Sequence, residues 1–132
     1  MQERWIRWEP IEGLLANYDI DAILDTQEGL KVILECDQKK VSVFFKNGAA
    51  SYIKTDETLR SYLIGTLSKE YGSSLYANWT FFKVENSDYL RWLSAQSCSI
   101  SDYYQLNHFS FMTDDSILDV ATSGEPVVEH IG

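Results

Sequence analysis

Few side chains in this chain are of the types that carry chemistry: its 132 residues include two histidines, two cysteines and 20 acids against 11 bases. Cys98 and His108 are the nearest nucleophile and base in sequence. With Asp102 or Asp119 they would supply a thiol, an imidazole to take its proton and a carboxylate to orient the imidazole. No local signature surrounds them, and ten residues of separation do not set proximity after folding. Cys98 therefore reads as a packed thiol and His108 as a surface histidine, with no catalytic residue assigned. Zinc needs four convergent ligands, usually in closely spaced pairs, whereas Cys36, Cys98, His108 and His130 are scattered. Asp19, Asp21 and Asp25 have the density of a calcium loop, but apolar residues alternate with them, and neither the loop glycine nor the terminal glutamate follows. Paired carboxylates for glycoside chemistry are defined only in space. There is no glycine-rich phosphate loop. No metal and no cofactor are expected.

Charge points elsewhere. The formal net charge is −9, which disfavours nucleic acid because phosphates would be repelled. From residue 84 to 132 there are eight acids (Glu85, Asp88, Asp102, Asp114, Asp115, Asp119, Glu125 and Glu129) and one base, Arg91. Such a field speeds the approach of a basic protein partner. The candidate contacts are Asp114, Asp115, Asp119, Glu125 and Glu129, with Asp19, Asp21 and Asp25 as a second stripe. Among the aromatic residues, Trp5 and Trp8 lie beside Arg4 and Arg7 and are expected to fold back onto a sheet or helix.

These residues need elements to position them. YDIDAILD puts Tyr18, Ile20, Ala22 and Leu24 on one side and the three aspartates on the other, the period of a half-buried strand. LKVILECD repeats it with Leu30, Val32, Leu34 and Cys36 inward. In VSVFFKNGAASYIK, Asn47-Gly48 predicts a type I′ hairpin that pairs Phe45 with Ala50 and Val43 with Tyr52, completing a four-strand meander. Asp56 caps a helix reaching Tyr71, with Leu59, Tyr62, Leu63 and Leu67 on one face and Gly72 as its stop. Residues 75–84 read as a strand, and Ser87 caps a second helix carrying Tyr89, Leu90, Trp92 and Leu93. HFSFMT and SILDVA flank Asp114-Asp115 as a hairpin, and residues after Pro126 suggest a short edge strand. Pro10 offers the start of a short helix holding Ile11, Leu14 and Leu15, which Gly13 weakens.

The composition, 45% apolar with two prolines, is that of a chain able to bury a core. The expectation is a single domain over 1–132, of α+β class, with a predominantly antiparallel sheet (N-terminal four-strand meander) and two principal helices on one side. Charges at Glu3, Arg4, Arg7 and Glu9 interrupt any signal-peptide core, and no stretch is long enough to span a membrane, so a cytoplasmic protein with reduced cysteines is expected.

Two segments, WTFFKVENSDYLRWLSAQS and HFSFMTDDSILDVATSGEPVVEHI, together resemble small stand-alone bacterial immunity proteins of polymorphic or contact-dependent growth-inhibition toxin systems. The likeness lies in an aromatic strand, an Asn-Ser-Asp helix entry and an acidic hairpin before Glu-Pro. It implies a cognate toxin domain as partner, often a basic nuclease, and transfers no contact residue. The functional expectation is a non-catalytic protein-binding module neutralising such a domain through an acidic surface. The alternatives are a small carboxylate-dependent enzyme and a regulatory adaptor.

Overall fold

The computed structural model describes residues 2–72 and 74–132. Among these residues nine strands form two sheets in which every paired neighbour is antiparallel. One sheet holds β2 (Asp19–Thr26), β3 (Gly29–Cys36), β4 (Lys39–Phe45) and β9 (Val127–Ile131), side by side in that order. The other runs β1 (Arg4–Arg7), β6 (Phe81–Glu85), β7 (Asn107–Met112), β8 (Ser116–Thr122) and β5 (Ser51–Asp56). Among the described residues three helices, α1 (Ser61–Tyr71), the short α2 (Ser74–Ala77) and α3 (Asp88–Gln96), connect strands of this second sheet, with single 3-10 turns at Glu57–Arg60 and Ile100–Tyr104. No helix among the described residues is long and apolar enough to cross a membrane.

Alternation along the strands makes the core. Leu30, Val32, Leu34, Val41, Val43 and Phe45 are buried on the inner face of the four-stranded sheet. Phe45 meets Phe109 and Phe111 of β7 edge-on, with ring centroids 5.8 and 6.5 Å apart, so the inner faces interdigitate as in a sandwich. Trp8 packs 4.9 Å from Phe109, and both Trp5 and Trp8 are buried, as expected of them.

The meander stops at three strands. The expected hairpin about Asn47-Gly48 does not form, because β4 pairs with β9 and β5 pairs with β8 in the other sheet. Of the two turn residues only Gly48 has positive φ, and the Ala50 N–H already donates to Ala121 O at 2.8 Å, so residues 46–50 carry the chain from one sheet to the other. The type I′ geometry occurs at Asp37-Gln38, with φ of 52° and 67°, in the two-residue link from Cys36 to Lys39. Tyr52, expected in the core opposite Val43, faces Val120 at the sheet edge, half exposed.

In β2 a bulge between Ile20 and Ala22 reverses the alternation, so Ile23 lies opposite Val32 and Leu24 turns outward. Residues 75–84 divide into the end of a short helix and β6, and no helix follows Pro10. The remaining elements match their local signals. Asp56 accepts from Thr58 N–H, Gly72 ends α1 with φ of 81°, Ser87 caps α3, and β7 and β8 form the hairpin around Asp114-Asp115.

Candidate binding site

The outer face of the five-stranded sheet carries Trp5, Phe82, Val84, His108, Ser110, Asp119 and Ile53, one residue out of phase with the aromatic core. Because Ser110 pairs with Asp119 and His108 with Ala121, His108 and Asp119 are diagonal neighbours within side-chain reach. The Asp119 Oδ1 lies 2.7 Å from His108 Nε2, and its Oδ2 accepts from an Arg60 N–H at 2.7 Å. On the other side of the imidazole, Nδ1 lies 2.7 Å from Ser87 Oγ, which also accepts the Leu90 N–H at 3.0 Å.

One assignment satisfies the whole chain. An ionised Asp119 accepts Nε2–H, the bare Nδ1 accepts the Ser87 hydroxyl, and Ser87 receives the helix amide. Burial alone would raise the Asp119 carboxyl, but the hydrogen bond from His108, together with the hydrogen bond and charge of Arg60, outweighs it and holds the group below its ordinary range. Arg60 and Ser87 are the N-cap residues of α1 and α3, so one buried polar chain ties both helix starts to the middle of the sheet. A second tie comes from Glu3, whose carboxylate accepts Trp5 Nε1–H at 3.2 Å and the first amide of α3, Asp88 N–H, at 2.7 Å.

A groove of about 680 Å³ opens over this network. Leu59, Tyr62 and Leu63 line it from the α1 side, Tyr89 and Trp92 from α3, and Trp5, Ile53, His108 and Asp119 from the sheet. Tyr89 and Trp92 stack with centroids 6.3 Å apart and planes 21° from parallel, and the Tyr89 hydroxyl is hydrogen-bonded to Ser51. The apolar helix face read from the sequence therefore divides: Leu67 joins the core and Leu63 packs against it, while Leu59 and Tyr62 form a groove wall. Leu67 is buried, whereas Leu59 is 77% and Tyr62 90% exposed.

Serine, histidine and aspartate in this order have the composition of an acyl-transfer triad. Here the hydroxyl is committed as a helix cap, and Ser87 is buried outside the groove lining. A molecule in the groove meets the carboxylate side of the imidazole. His108, read as a surface histidine, is buried, and both its ring nitrogens are taken, leaving Cys98 on an exposed segment outside the network. Cys36 is half-buried.

The acidic residues read from the sequence as contacts fall into four groups. Asp114 and Asp115 are exposed at the β7–β8 turn, and Asp19 of β2 lies close to them: partial burial first, then the charges of Asp114, Asp115 and Glu35, raise its carboxyl. The two stripes read from the sequence thus meet at one corner through Asp19. Other members are occupied, with Asp21 on Lys40 at 3.2 Å, Glu125 on Lys83 at 2.8 Å, and Asp25 accepting the Tyr52 hydroxyl at 3.3 Å. Glu129 is exposed on β9 opposite Ser42. Asp119 is the correction: its side chain, 6% exposed, lies under the groove and not on the solvated face expected.

Sequence reasoning read Ser87 as a helix cap but missed its bond to His108, the burial of His108 and the part of Arg60. A signal for the histidine was present, since His108 and Ser110 alternate with Phe109 and Phe111 along β7 and Asp119 interrupts the apolar run of β8. Among the described residues no group of three or more histidines, cysteines or acids is arranged to hold a metal ion. Comparison with protein-family models, curated proteins and solved structures found no match.

Proposed function

We propose that this chain is a non-catalytic protein-binding domain, an immunity-type protein that neutralises a basic, nuclease-like toxin domain in the cytoplasm through its acidic surface. The supporting observation is the corner where Asp19 meets Asp114 and Asp115. Among the described residues none of the three forms an ion pair, whereas Asp21, Asp119 and Glu125 each have a cationic partner. A carboxylate whose charge is disfavoured by neighbouring carboxylates, as at Asp19, is relieved by an incoming lysine or arginine, which gives a basic partner both steering and a place to land. The test is co-production with the products of the genes adjacent to the one encoding this chain, any basic toxin domain among them first. Rescue of growth together with a purified complex is the expected result; no complex and no rescue would remove the proposal.

A second reading follows from the Ser87, His108 and Asp119 distances, namely acyl transfer with Ser87 as nucleophile. Covalent labelling of Ser87 by a fluorophosphonate, lost in Ser87→Ala, would establish it. The burial of that hydroxyl predicts no labelling.

A further inference from the structure

We propose that the groove between α1 and α3 is a second contact surface, which takes from the basic partner a segment presenting an apolar side chain flanked by lysine or arginine. This rests on the protein-binding reading above and names the chemistry of the groove's occupant.

Large side chains at helical spacing on α1 and its preceding turn are left open, with Leu59 77% and Tyr62 90% exposed, and Trp92 stands across from them half exposed. Aromatic anchors beside a concave apolar wall are what a partner's buried side chain requires. Charge sets the flanks. Of the four acids that line the groove, Asp119 is paired with Arg60 and Asp88 with Arg91, and Glu3 and Glu70 have no cationic partner among the described residues. That lining repels a second copy of this chain, itself at −9, and repels phosphates, and it favours a segment bringing its own cations.

The groove also continues the acidic corner. The Glu57 N–H donates to Asp115 O at 2.9 Å, and the 3-10 turn that begins there carries Leu59 and Arg60 into the groove. A partner steered to Asp114 and Asp115 is therefore delivered to its edge.

The probes are two synthetic peptides with leucines at helical spacing, one completed with lysine and the other with glutamate. Titration calorimetry would compare wild type, the Tyr62→Ala/Trp92→Ala variant and the Asp114→Asn/Asp115→Asn variant. Both aromatic side chains are at least half exposed, so the groove variant should stay folded, which its thermal transition checks. The leucine/lysine peptide should bind wild type, lose at least about tenfold in affinity to the groove variant, and be matched by no binding of the leucine/glutamate peptide. Indifference to the groove variant, equal binding of the acidic peptide, or no binding of the basic one would each overturn the inference. Binding that ignores the groove variant but falls in the Asp114→Asn/Asp115→Asn variant would do so while leaving the acidic-surface reading intact. That reading fails separately, if the toxin domain itself forms no complex.

Discussion

Asp119 shows how a single carboxylate changes meaning with its surroundings. In SILDVAT it sits between Leu118 and Val120, and alternation assigns it to the face opposite the core. That face was expected to meet solvent, and α1 and α3 cover it instead. Removing the carboxylate leaves a buried imidazole and a partly buried guanidinium without their acceptor. Asp119→Ala should therefore cost about 3 kcal/mol in urea denaturation at pH 7, the low end for breaking a buried pair because Arg60 is 27% exposed. By contrast, Asp114→Asn should stay within about 0.5 kcal/mol of wild type. The pH dependence has a definite sign. A carboxyl held below its unfolded value stabilises the fold above about pH 4 and loses that contribution as pH falls through its lower folded value. The stability gap between wild type and Asp119→Asn should accordingly be full at pH 7 and close in acid; a gap that widened in acid would contradict the assignment. Ser110, the register partner of Asp119, has a buried hydroxyl with no hydrogen-bond partner among the described residues. Ser110→Ala should leave stability unchanged or raise it by up to about 1 kcal/mol, since no bond is lost and a desolvated group is removed.

Among the elements, those with local causes were legible and those fixed by distant partners were not. The helix start at Ser87, the stop at Gly72 and the Asp114-Asp115 hairpin depend on a few neighbouring residues, and each is where its signal places it, whereas Asp56 caps a 3-10 turn and α1 begins only at Ser61. The partner of β4 depends on a strand more than 80 residues later, and no local pattern at Asn47-Gly48 distinguishes a hairpin from a crossing between sheets. Val43 is buried whichever strand lies beside it, so Val43→Asp should abolish the cooperative thermal transition by placing an unpaired charge in the core. Gly29 is a stricter test of the β3–β4 approach. Its φ is +141°, and a Cβ there would lie 2.4 Å from Phe45 O and 2.9 Å from Lys46 O, both backbone atoms. Gly29→Ala should destabilise by more than about 2 kcal/mol in chemical denaturation, combining backbone strain with a displaced strand end.

For the whole molecule, α+β class and antiparallel pairing were readable from alternation and turn residues, while the division into two sheets and the groove over the five-stranded one were not. Charge was legible as a total, and its meeting of Asp19 with the Asp114-Asp115 turn is a product of the fold. In the proposed mode of binding that corner steers a basic protein, over a range set by a Debye length of about 8 Å at physiological ionic strength, and the adjoining groove holds it. The most direct test is stopped-flow association with a basic toxin domain that the protein neutralises in co-production, across a series of salt concentrations, comparing wild type with Asp19→Asn/Asp114→Asn/Asp115→Asn. The variant should associate about tenfold more slowly at low salt and show a flatter salt dependence, with an unchanged thermal transition. Equal rates and equal salt slopes for the two proteins would contradict the acidic corner as the site of encounter.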